Sequence, residues 1–148
     1  MPLYPGIVPK PGQVFVCDFS GYVKPEMVKL RRVVVISPRH TGAPLALVVP
    51  ISTQTPREIL PIHVRLPGGA VYRCFTGVEE VWVKADLIAH VRYDRLNKVR
   101  IPILDGFGNP IRSRYEFLPT TTLSPEHFKA VRGAVLHALG LGHLASEL

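Results

Sequence analysis

The sequence predicts a single, mostly β domain of the α+β type, closed by one helix at its C-terminal end. Three observations carry this expectation. Short β-branched runs recur between proline- and glycine-rich turns, only the stretch 124–139 shows helical spacing, and the chain has the size and balance of one folded unit. With 148 residues, 47% hydrophobic and 20% charged, it can bury one core and is too short for two ordinary domains.

Taken in order, residues 1–9 are dominated by proline and glycine and are expected to be loose. Residues 13–19 alternate after Pro11-Gly12 and read as a first strand, at an edge or half buried. A polar loop, 20–29, leads into the continuous apolar run 32–37, a strand covered on both faces. Residues 38–44 form a turn before a second such run, 45–52. Residues 60–66 alternate and stop at Pro67-Gly68-Gly69. A strand follows at 80–83, then a link at 85–88 and a strand at 90–93. Segments 98–103 and 111–117 flank a glycine-rich turn, an extra hairpin within 97–122. Ser124-Pro125-Glu126 starts the helix: serine caps an orphan N–H, proline suits the first turn, and glutamate meets the positive dipole end. Phe128, Val131, Val135, Leu136 and Leu139 give its apolar face, and Gly140 its stop.

Composition narrows the function classes. No apolar run approaches the roughly 20 residues of a spanning helix, and the N-terminus lacks a charged and apolar leader, so a cytoplasmic, non-membrane protein is expected. The two cysteines, Cys17 and Cys74, show no metal-ligand spacing and read as buried thiols. Eighteen basic against eleven acidic residues give a formal charge of +7, which suits a polyanionic partner. No phosphate-binding glycine loop, zinc-protease motif, nucleophile elbow or dinucleotide fingerprint occurs, so those enzyme classes have no support.

Spacing then points to a site. If 32–37 and 45–52 pair as an antiparallel hairpin, Ser37 faces Leu45, and Arg31 falls near Ile51 and Ser52. That places a guanidinium beside the Ser52-Thr53 hydroxyls at one sheet end, a donor set that matches phosphate oxygens and a phosphoryl transition state. Asp18 and Glu26 flank the loop after the first strand, and Asp18 either holds Arg31 or stands as an exposed charge. His63, in a strand near the hydroxyl pair in sequence, is a candidate for proton transfer, a role that suits imidazole, or else a surface or hydrogen-bonded strand histidine. Lys29, Arg57, Arg65, Arg73, Arg92 and Arg95 lie among Tyr72, Phe75, Trp82 and Tyr93, a composition suited to neutralising a nucleic-acid backbone and stacking bases. For Trp82 and Phe75 core packing is the stronger expectation.

These residues resemble the PemK/MazF family of toxin–antitoxin ribonucleases. Pro11-Gly12-Gln13-Val14 with Cys17-Asp18-Phe19 is similar to the family's opening strand. Pro25-Glu26-Met27, Lys29 and Arg31, followed by Val33-Val34-Val35-Ile36-Ser37, resemble its first signature, and Val49-Pro50-Ile51-Ser52-Thr53 its second. Leu60-Pro61, His63-Val64, Asp86-Leu87-Ile88 and Arg95-Leu96 match weaker later blocks. The resemblance implies an SH3-like, partly open antiparallel β-barrel, shared with CcdB-type toxins, over the whole of residues 1–148. It also implies a metal-independent, cofactor-free endoribonuclease that cleaves single-stranded mRNA by 2′-hydroxyl transesterification. A homodimer, a small acidic antitoxin and DNA binding through the antitoxin complex come with it. The carry-over makes Arg31 and either Ser52 or Thr53 catalytic. Arg32 stands where the family has proline, and because strand neighbours face opposite ways, only one of the two arginines can address the site. A gyrase-inhibiting toxin of the CcdB kind, or a non-catalytic RNA-binding barrel, are the alternatives.

Overall fold

A computed structural model describes residues 8–38, 43–75 and 77–148, apart from the side chains of Tyr72 and Arg73. Most of the expected loose N-terminus and the middle of the expected 38–44 turn lie outside the described residues. The strands are β1 (Gln13–Asp18), β2 (Leu30–Val35), β3 (Leu45–Ser52), β4 (His63–Pro67), β5 (Glu80–Lys84), β6 (Ala89–Arg92), β7 (Leu96–Asn97), β8 (Arg100–Leu104), β9 (Pro110–Phe117) and β10 (Thr121–Thr122). One helix follows, α1 (Pro125–Ala138), and 3-10 segments occupy Gly68–Cys74, Tyr93–Arg95 and Gly142–Glu147.

Eight strands form one antiparallel sheet in the order β10-β1-β2-β3-β5-β4, with β6 also on β3 and β7 also on β1. β1 and β3 each change partner along one edge, which bends the sheet. β3 meets β6 over 45–48 and β5 at Ile51 and Ser52. Pro50 falls in the gap between them, where a missing N–H costs no ladder bond. The outcome is the expected mostly β, partly open barrel with a C-terminal helix.

Alternation of side chains along the strands builds two cores. Val14, Val34, Val49, Ile51, Val81 and Val83 turn to one face and meet Val131 and Ala134 of α1. Phe15, Cys17, Val33, Val35, Ala46 and Val48 turn to the other, with Phe19 and Val91. Period-2 packing of this kind ties every face to the register. The register differs by one residue from the expected hairpin: Val35 pairs with Val48 and Arg32 with Ile51, so the same offset sets Ser37 opposite Ala46 rather than Leu45. Ser37 ends the ladder, its Oγ accepting from Leu47 N at 2.9 Å in place of a backbone carbonyl.

α1 starts as expected, with Ser124 Oγ accepting from His127 N at 3.2 Å. Its buried residues are Val131 and Ala134, with Phe128 and Val135 packed beside them. Leu139 departs from the expected apolar face and is 58% exposed. It occupies the C-cap, where Gly140 at φ +75° turns the chain away from the core. The β8–β9 ribbon forms a separate two-stranded sheet, as the hairpin signal predicts. Its tip is set by Asp105 Oδ1, which accepts from Phe107 N at 2.8 Å and Asn109 N at 3.0 Å.

Candidate active site

One cleft of about 210 Å³ gathers side chains from four parts of the chain. The loop before β2 supplies Pro25, Glu26 and Met27, β2 supplies Arg31, and the end of β3 with its exit supplies Pro50, Ile51, Ser52 and Gln54. Lys84 of β5 and Leu87 complete the lining. The β2–β3 offset explains the meeting of Arg31 and Ser52. It pairs Arg32 with Ile51, so one step further along the same ladder Arg31 stands across from Ser52. Ile36 N donates to Leu47 O at 2.9 Å, which makes the 36/47 pair hydrogen-bonded. Alternation then makes 31/52 a non-hydrogen-bonded pair, the kind whose side chains approach most closely.

Arg31 is exposed in the cleft and, among the described residues, has no ion pair or hydrogen bond. Ser52 Oγ accepts from Gln54 N at 3.1 Å, which aims the hydroxyl and leaves its proton to donate. Glu26 Oε1 accepts from Val23 N at 3.1 Å, and this holds the carboxylate at the rim. The cleft thus combines a guanidinium, an ammonium, a hydroxyl and a carboxylate, a set that can grip a phosphodiester and move a proton near it.

The loop that carries Glu26 is pinned at its base. Phe19 N donates to Lys29 O at 2.8 Å, and the Phe19 and Tyr22 rings meet edge to face at 5.2 Å. Arg95 Nη1 donates to both Asp18 O and Ser20 O at 2.9 Å, with its guanidinium 5.3 Å from the centre of the Tyr22 ring. Its guanidinium is therefore committed to the fold. Of the two roles expected of Asp18, the contact with Arg31 is not made. Its Oδ1 accepts from Ser20 N at 2.8 Å, and that bond, aided by Arg95, holds the carboxyl below the usual carboxylate range.

Arg32 turns to the opposite face, as strand alternation requires. Its guanidinium lies 4.7 Å from the centre of the Phe75 ring, and its Nε is buried with no hydrogen-bond partner. Burial pulls this guanidinium below its ordinary range, opposed by nearby Cys74. Thr53 is exposed, follows the end of β3 and does not line the cleft. His63 lies outside the cleft lining, and its Nδ1 accepts from Leu60 N at 3.0 Å.

The other basic residues scatter. Arg65 pairs with Glu80 and Arg92 with Asp94, so both have carboxylates beside them. Lys29 and Arg57 are exposed outside the cleft lining, and the Arg73 side chain lies outside the described residues. Trp82 is buried, as expected, with its Nε1 lacking a hydrogen-bond partner. Lys84 and Gln54 are the cleft residues that sequence reasoning missed. Period 2 from Trp82 reaches Lys84, but nothing local reveals that β5 lies beside Ser52.

Comparison with known proteins adds four findings. The family described as PemK-like, MazF-like toxin of type II toxin–antitoxin system matches residues 10–106. The uncharacterized protein YifN of Escherichia coli (strain K12) is 31% identical over 111 residues, spanning 62% of this chain and 74% of YifN. Among solved structures, MazF from Deinococcus radiodurans is similar with a TM-score of 0.60 and 22% identity, over 90% of this chain and 98% of that one. A mycobacterial endoribonuclease in complex with its cognate antitoxin is similar with a TM-score of 0.56 and 21% identity, over 90% and 96%. At these identities the structural likeness is one of fold.

Proposed function

Because the chain belongs to the PemK-like, MazF-like toxin family of type II toxin–antitoxin systems, we propose that it is an endoribonuclease that cuts single-stranded RNA from this cleft. The observation that carries the reading is the shared placement of Arg31 and Ser52 in one cleft. The reaction is an internal transesterification. A ribose 2′-hydroxyl loses its proton and attacks the adjacent phosphorus, and the bond to the 5′-oxygen breaks. That oxygen leaves with a proton, giving a 2′,3′-cyclic phosphate and a 5′-hydroxyl. Because the nucleophile belongs to the substrate, the protein needs no metal to generate one.

Each residue follows from its chemistry. Arg31 offers a fork of donors to the dianionic phosphorane, where charge grows beyond the ground state. Ser52 donates to a non-bridging oxygen and orients the phosphate. In this reading Glu26, the carboxylate of the cleft lining, takes the 2′-proton, since an arginine side chain stays protonated and cannot serve as a base. A single strand is required because the 2′-hydroxyl must swing in line with the leaving oxygen.

By the same reading the chain acts in the cytoplasm on mRNA, pairs into a homodimer and is held silent by a small acidic antitoxin whose complex binds DNA. Residues 1–148 then act as one toxin domain. Lys29 and Arg57, exposed outside the cleft, serve the flanking RNA backbone. The reading is tested by incubating purified protein with a defined transcript in EDTA. Cyclic-phosphate ends that vanish with Arg31→Ala support it. Intact RNA, or cutting unchanged by the substitution, overturns it.

A further inference from the structure

We propose that Lys84 is a second phosphate-gripping cation of the cleft, on the opposite side of Ser52 from Arg31; the inference rests on the ribonuclease reading and names a further residue for that site. The sheet order β2-β3-β5 puts Ser52 on the middle strand, with Arg31 on one neighbour and Lys84 on the other. Ser52 pairs with Trp82 across β3 and β5. Lys84 lies two residues past Trp82 and so shares its face of the sheet. With strands roughly 4.8 Å apart, the backbones of β2 and β5 are roughly 10 Å apart here, a span that two long cationic side chains bridge onto one phosphodiester.

Nothing in the described structure consumes this ammonium. Lys84 is half buried in the cleft lining, without an ion pair or hydrogen bond among the described residues. Arginines with partners in the fold look different: Arg65 pairs with Glu80 at the surface, and Arg95 holds backbone carbonyls. Opposite Lys84 on β4 is His63, whose Nδ1 already accepts from Leu60 N, so it brings no negative charge. The one carboxylate in the cleft lining is Glu26, on the loop before β2 and bonded to Val23 N.

Two cations around one hydroxyl suit a reaction whose phosphate passes from one negative charge to two. Arg31 and Lys84 each meet a different non-bridging oxygen, with Ser52 between them. A lysine contributes a compact point charge rather than a fork, so its effect depends on charge more than on shape. Arginine at this position therefore restores most of the function, and methionine, with a similar apolar stem, does not.

The test compares wild type, Lys84→Arg, Lys84→Met and Arg31→Ala under single-turnover conditions on one single-stranded RNA, at two salt concentrations, alongside thermal melts. The inference predicts that Lys84→Met lowers the cleavage rate at saturating enzyme by roughly 10- to 100-fold, at or below the loss of one oxyanion donor. The salt slope of its RNA affinity, read from the enzyme concentration that half-saturates the single-turnover rate, flattens by about 0.7, the value for one released counterion on a single strand. The Arg variant stays within about threefold of wild type, and the melts do not move. Wild-type rates in Lys84→Met, equal losses in both Lys84 variants, or a melt that falls in parallel would each refute it. If Arg31→Ala abolishes cutting while Lys84→Met cuts at the wild-type rate, only this inference fails. A wild-type protein that cuts no RNA removes the reading beneath it as well.

Discussion

Arg31 and Arg32 are consecutive on β2 and serve opposite faces of the sheet. Arg31 lines the cleft with Ser52, and the Arg32 guanidinium lies 4.7 Å from the centre of the Phe75 ring on the face of the helix-side core. The pair separates activity from stability. Arg31→Ala should reduce RNA cleavage by at least about 100-fold and change stability by no more than about 0.5 kcal/mol, as for an exposed side chain. Arg32→Ala should do the reverse, costing about 1–2 kcal/mol through lost packing while cleavage persists. Arg32→Met removes the orphaned Nε and keeps the stem, so it should cost less than Arg32→Ala. Urea unfolding and a cleavage assay on the same preparations check all three.

The two hydroxyls of Ser52 and Thr53 are distinguished by the same alternation. Ser52 lines the cleft and takes its place by the hydrogen bond from Gln54 N; Thr53 lies beyond the strand and outside it. Ser52→Ala should lower the cleavage rate by about 10- to 100-fold, and Thr53→Ala should leave it within about threefold. Ser52→Thr should retain activity, because the reaction needs a hydroxyl and not a particular stem. Equal losses at both positions would place the reactive phosphate elsewhere.

Cys17 makes alkaline stability a readout of the second core. The thiol is fully buried beside Phe15 and Val33, and burial pushes its pKa from 9.0 up to about 12. The neutral thiol is the form the fold accepts, so its contribution is complete below pH 9. Above that, the unfolded chain releases the proton first, and stability falls as pH rises from about 9 toward 12, by up to about 1.4 kcal/mol per pH unit. Cys17→Ala should unfold more easily at pH 7, because it leaves a cavity, and should show a shallower decline between pH 9 and 11. Denaturant melts at stepped pH read both effects.

Two adjacent glycines after β4 predict opposite outcomes. A Cβ on Gly68 would sit 2.1 Å from Val78 O, whereas one on Gly69 meets nothing within 4 Å. Gly68 N also donates to Glu79 O at 2.8 Å, tying the 3-10 segment to the start of β5. Gly68→Ala should therefore destabilise by about 1–3 kcal/mol as an overpacked site. Gly69→Ala should be neutral within about 0.5 kcal/mol. Thermal melts of the two variants distinguish them, and equal melting temperatures would contradict the close approach.

Local chemistry was enough for much of this molecule. The strands at 13–18, 45–52 and 80–84, the ribbon around Asp105, and the helix capped by Ser124 all follow from alternation, turn residues and capping, which act over a few neighbours. The meeting of Arg31 with the Ser52 hydroxyl was also legible, because their strands are neighbours in sequence and pair directly, and only the offset remained open.

What tertiary structure alone decided is the direction of each side chain and the company it keeps. Alternation says that Arg31 and Arg32 diverge, yet only the two cores formed by Val34 and Val33 decide which arginine reaches the cleft. Asp18, Arg65, Arg92 and Arg95 carry charge that sequence alone assigns to a ligand or to solvent, and the fold gives each an internal partner. Lys84 enters the cleft because β5 pairs with β3 across nearly thirty residues of intervening chain. A charged side chain has no periodic signature of its own. Its role comes from whichever distant strand the burial of apolar neighbours places beside it.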